Sequence, residues 1–89
     1  MLDAVKRAIG LKSDYFNEEL TTLIEAGKSD LRLAGVTRIE VDDPLIITAI
    51  TCYCQANRGT DAENRAKFLQ LYKMQKINLM RAGEYCDSE

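Results

Sequence analysis

Eighty-nine residues allow one small domain, and a chain this short is marginally stable alone unless it gains bridges, a metal or partner subunits. Twelve Lys plus Arg against fourteen Asp plus Glu leave a net charge of −2, which is not that of a whole-chain nucleic-acid binder. There is no histidine, which excludes His-based acid–base chemistry, Ser-His and Cys-His nucleophile pairs and every His-containing zinc site.

Leu2, Val5 and Ile9 fall on one helical face, and Gly10 follows, so the first ten residues read as a short amphipathic helix. The N-terminal stretch lacks the layout of a signal peptide, and reduced thiols in a cytoplasmic setting are expected. Ser13 and Asp14 are good N-caps for a second, longer helix. Its apolar stripe is Phe16, Leu20, Leu23, Ile24, Gly27, Leu31 and Ala34, and Gly35 stands at the stop.

Residues 36–43 break the helical period and read as an extended loop with at most a short strand. Asp43 followed by Pro44 then restarts helix, an acidic cap before a proline whose missing N–H costs nothing at that position. The helix expected over 44–58 is apolar nearly all round, with Thr48, Thr51, Gln55 and Arg58 as a narrow polar line. Such a helix is surrounded by others, or by neighbouring subunits.

Gly59 ends it, and Thr60-Asp61-Ala62-Glu63 has the capping-box pattern that opens a last helix, running to about Ala82. Residues 83–89 form a short acidic tail expected to fray. No apolar run approaches the roughly 18 residues that cross a membrane. The fold class expected is all-α: a small bundle of three main helices plus a short N-terminal one, in a single domain over 1–82. The expected core is Phe16, Leu20, Leu23, Ile24, Leu31, Leu45, Ile46, Ala49, Ile50, Tyr53, Phe68, Leu69 and Tyr72.

Cys52 and Cys54 look like chemistry at first sight. On a helix they are rotated by about 200° and cannot grip one ion. Three thiols without an imidazole also cannot complete a tetrahedral site. Both read as small buried apolar residues, and Cys86 as an exposed tail thiol open to adventitious disulfides. The pair Asp42-Asp43 is explained by capping. With no phosphate cradle and no catalytic set, an enzyme is not expected, and no cofactor or metal is called for.

Charge is segregated. Residues 58–81 carry a local net of +4 and residues 1–57 a net of −3, with −3 again in 82–89. A basic helix beside an acidic remainder fits a solvated face, a docking face for a neighbouring protein, or contact with nucleic acid. The helix–turn–helix arrangement around Gly59 reads poorly as a DNA reader, since Asp61 and Glu63 occupy the turn that would face phosphates.

The order of the pieces resembles the small head–tail connector (adaptor) proteins of long-tailed bacteriophages. The matching residues are Leu23, Ile24, Ala26, Lys28, Asp30, Leu31, Ala34 and Gly35, continuing with Asp43, Pro44, Leu45, Ile46, Tyr53, Ala56, Gly59, Phe68 and Tyr72. Gly27 departs from that pattern, where alanine is usual, and so do the cysteines around Tyr53. The resemblance implies a virion protein at the head–tail interface, present in the host cytoplasm during assembly. It implies a homo-oligomeric ring, a dodecamer in the virion, attached below the portal protein and joined to the next connector, stopper or tail protein. DNA would pass through its channel without sequence recognition, and no membrane is involved. Candidate subunit or portal contacts are Arg38, Glu40, Asp42, Arg58, Arg65, Lys73, Lys76 and Arg81. The rival expectations are a small helical DNA-binding regulator or DNA-packaging factor, and a helical interaction module acting as monomer or dimer.

Overall fold

The computed structural model describes residues 1–39 and 43–86. The expected all-α class holds. The helices are α1 (Leu2–Ile9), α2 (Asn17–Leu33), α3 (Pro44–Ala56) and α4 (Ala62–Arg81), followed by a 3-10 turn, Gly83–Tyr85. Among the described residues there is no strand, only an isolated antiparallel bridge between Val36 and Cys86.

Helix α3 is the hub, packing on α4, α2 and α1. Ile46, Ala49, Ile50 and Cys54 are fully buried, and Cys52 and Ala56 nearly so. This is why an almost wholly apolar helix is stable here: elements on several sides remove it from water. Asp43 caps it, its Oδ1 accepting from Leu45 N at 2.9 Å, with Pro44 at the first position. The helix stops at Ala56, short of Arg58, where the Asn57 side chain donates to Tyr53 O at 2.8 Å.

Gly35 ends α2 with φ +98. Gly35 N donates to Arg32 O at 3.0 Å and Val36 N to Leu31 O at 2.9 Å, a Schellman closure that lays Val36 on Leu31, both fully buried. The starts of two helices differ from the sequence expectation. Ser13 and Asp14 do not cap α2: they build a turn, Ser13 Oγ accepting from Tyr15 N, while Asp14 accepts from Lys6 Nζ at 2.8 Å. Helix α4 is capped by Asp61, not Thr60, through the N–H groups of Glu63 and Asn64. A carboxylate one residue closer captures the same orphan donors with a favourable dipole.

Gly27 faces α3 so closely that a Cβ would lie 3.1 Å from Ile50 Cδ1 and 3.1 Å from Tyr53 Cδ1. Alanine in a helix interior gains about 1 kcal/mol over glycine, but overpacking costs about 1–3 kcal/mol. Ile50 is fully buried and the Tyr53 ring is held edge-on to Tyr72 at 5.2 Å, so neither gives way freely. Gly27→Ala is therefore expected to lower stability by about 1 kcal/mol net. A denaturant midpoint that rises in the variant contradicts this.

The expected core needs two corrections. Leu45 is 58 % exposed and Leu69 40 % exposed. Leu45 lies at the open end of α3, and Leu69 lies off the line of Tyr72 and Leu79 that α4 turns to the core. The core gains Val5, Val36 and Leu79, and it includes Cys52 and Cys54 as expected. The tail needs another correction: residues 83–86 do not fray. Tyr85 O accepts from Thr37 N at 2.9 Å and Arg38 N at 3.1 Å, and the Tyr85 hydroxyl donates to Asp43 Oδ2 at 2.8 Å. Cys86 is half-buried against the core, its S–H shared between the carbonyls of Leu79 and Met80. It is not the exposed thiol expected from its position.

Candidate assembly surfaces

The thiols at Cys52 and Cys54 are free and buried on a packed helix. Burial pushes the Cys54 thiol up to about 11 and raises that of Cys52, so neither is a ready thiolate. Among the described residues no three Cys, Asp or Glu side chains converge as a metal would need. No helix among them is long and apolar enough to cross a membrane.

The basic residues divide into two groups. Arg58 is turned inward: its Nε lies 3.5 Å from Glu19 Oε1, an ion pair without hydrogen-bond geometry, and its guanidinium stacks over Phe16 at 5.2 Å. Arg65 donates from Nε to Ala56 O at 3.2 Å, satisfying an orphan carbonyl at the end of α3. Lys76 donates to Asp30 Oδ2 at 3.0 Å and lies 5.3 Å over the Tyr72 ring. These three serve the monomer first, which a segment charge count does not reveal. Arg38, Lys73 and Arg81 are exposed and make no ion pair among the described residues. Glu40 and Asp42 lie outside the described residues.

Asp30, Tyr72 and Lys76 fasten α2 to α4. The Tyr72 hydroxyl donates to Asp30 Oδ2 at 2.5 Å, the atom that Lys76 also reaches. The hydrogen bond from Tyr72 holds the Asp30 carboxyl below its ordinary range, with Lys76 adding to it against the opposing effect of burial. Burial, then the bond to Asp30, raises the Tyr72 phenol far above its usual value. A phenol raised in the folded state contributes its stability fully below the unfolded value near pH 10 and loses it as pH rises beyond that. Tyr72→Phe is expected to cost about 1 kcal/mol at pH 7, the low end for a bond to a charged group because Asp30 keeps some solvent. It should also flatten the alkaline decline above about pH 10. Urea melts of both proteins across pH 7 to about 11 check this, and parallel alkaline limbs contradict it.

A second lock, Lys6 with Asp14, joins α1 to the start of α2. The Lys6 stem is buried while its ammonium reaches the exposed carboxylate, whose pKa the hydrogen bond lowers. Its signal in the sequence is only a lysine on the edge of an apolar face.

Two open surfaces among the described residues involve α4. An apolar groove of about 350 Å³ between α3 and α4 is walled by Leu45, Leu79, Ala82 and Tyr85. The outer side of α4 shows Leu69, Leu71, Met74, Ile77 and Met80 to solvent, interleaved with Lys67, Lys73 and Arg81. Exposed apolar area of this kind, rimmed by polar groups, is what macromolecular interfaces carry in general.

No curated protein and no solved structure matches the chain significantly. A family model does: that of the phage connector protein, over residues 1–86, which spans every helix and the docked 3-10 turn. An all-α body with a buried hub helix, inert thiols and open apolar and basic surfaces fits that match, and the chain belongs to the phage connector protein family.

Proposed function

We propose that this chain is a non-enzymatic ring subunit that attaches below the portal, extends the DNA channel and joins head to tail. The match to a phage connector family over nearly the whole chain carries this reading. Small size and a large uncovered apolar area on α4 support association. The partners are further copies of the chain, the portal protein, and the next connector, stopper or tail protein. DNA passes the ring as a polyanion, met by exposed cations without base recognition.

Among the candidate basic contacts, Arg38, Lys73 and Arg81 are the ones available to partners or DNA, because Arg58, Arg65 and Lys76 are engaged within the subunit. Native mass spectrometry of the chain with purified portal protein tests the reading, and a closed ring on the portal is expected. Connectors of this kind can stay monomeric until they meet the portal, so the portal-bound sample decides. A stable dimer that ignores portal protein overturns the proposal. Tight duplex-DNA binding with a steep salt slope, in an electrophoretic assay, would instead favour a DNA-binding regulator.

A further inference from the structure

Helix α4 carries apolar residues on more sides than the monomer covers. Tyr72 and Leu79 are its buried residues, whereas Leu69, Leu71, Met74, Ile77 and Met80 are between 39 and 61 % exposed. Several large apolar side chains left exposed on one helix mark a surface that another chain can cover. Lys73 and Arg81 flank Ile77 on this outer face, eight residues apart and without an ion pair among the described residues.

The outer face of α2, on another flank of α3, has the opposite character. Glu18 and Glu25 stand seven residues apart on one exposed line. At its C-terminal end Leu33 is 89 % exposed, the most exposed of the large apolar side chains among the described residues. Glu25 has an ion pair with Lys28 at 3.2 Å, but its side chain is 61 % exposed and open to a second cation.

We propose that the outer face of α4 in one copy lies antiparallel on the outer face of α2 in the next copy. At 1.5 Å rise per residue, Lys73 and Arg81 are about 12 Å apart along their helix, and Glu18 and Glu25 about 10.5 Å along theirs. The antiparallel register sets Arg81 against Glu18 and Lys73 against Glu25. It also carries Leu33 to the turn holding Ala66 and Leu69, apolar on apolar. The parallel register pairs the same charges but leaves Leu33 beyond the end of α4. In the antiparallel register Arg32 falls between Glu63 and Lys67, one favourable neighbour and one unfavourable. The two helix dipoles oppose, which also favours this direction. Two different faces meet, so the contact is heterologous and generates a ring where its rotation closes.

This inference rests on the self-association proposed above and adds which faces carry it. The test measures assembly by native mass spectrometry and sedimentation over a concentration series, with and without portal protein. Arg81→Glu and Glu18→Arg should each weaken subunit association roughly tenfold or more, because each sets like charges together. The double variant should restore it. Leu33→Asp, at a solvent-facing position, should weaken it as well while leaving helicity and melting midpoint unchanged. Rings that form normally in Arg81→Glu and Leu33→Asp overturn the proposed faces and leave the ring reading standing. Loss of portal binding with normal association between subunits assigns α4 to the portal and also overturns it. An unaltered chain that assembles neither alone nor with portal overturns the ring reading itself.

Discussion

Ile50→Ala is expected to destabilise the protein by about 3 kcal/mol, within the usual range for truncating a buried isoleucine. Ile50 is fully buried at the centre of α3, against the close approach of Gly27 on α2. The cavity cannot collapse easily, because α3 is packed against α4, α2 and α1 at once. For a domain of this size the melting midpoint should fall by roughly 15 °C. A small domain holds only about 5 kcal/mol in total, so the variant should be close to partly unfolded at 37 °C. Circular dichroism melts check this. A loss under about 1 kcal/mol would mean that the neighbours refill the site and that α3 is not the rigid hub.

Removing residues 83–89 is the second large effect expected, a loss of about 3 kcal/mol. The acidic, glycine-led sequence of this segment would make it look dispensable. The structure gives it three hydrogen bonds to the loop after α2: two into Tyr85 O and one from the Tyr85 hydroxyl to Asp43. It also bridges Val36, which is fully buried, and uncovering a valine costs about 1.5–3 kcal/mol. The Asp43 side chain that Tyr85 holds is also the cap of α3, so the truncation loosens the entry to the hub helix as well. Tyr85→Phe alone should cost about 1 kcal/mol, since it removes one hydrogen bond and keeps the ring. Comparing the three proteins by denaturant melts separates the hydroxyl from the segment. A truncated chain as stable as the full one would restore the picture of a frayed tail.

Helices were readable because their signals are local. Gly35, Asp43-Pro44 and the 3.6-residue stripe of α2 each act within a few residues, and each sits where the pattern placed it. The cysteine pair was readable for the same reason, since helical rotation alone separates the two thiols. The candidate contacts were less so. Segment 58–81 shows its positive charge plainly, but whether a given cation is available depends on neighbours far along the chain. Lys76 meets Asp30 across 46 positions, and Arg58 meets Glu19 and Phe16 from the second helix. Leu45 and Leu69 carry the right apolar chemistry for a core, but one stands at the open end of α3 and the other off the side of α4 that the core covers.

The residues alone were enough for an all-α chain, the ends of α1, α2 and α4, the cysteines as packing residues, and a family resemblance that the connector match supports, while α3 stops short of the expected Arg58. Local hydrogen-bonding and periodicity are enough for that. Three features needed the folded chain: residues 83–86 strapping the inter-helix loop, Asp30, Tyr72 and Lys76 joining two helices, and which cations stay exposed. Those are long-range pairings, set by how three helices share one buried hub, and no local pattern encodes their geometry.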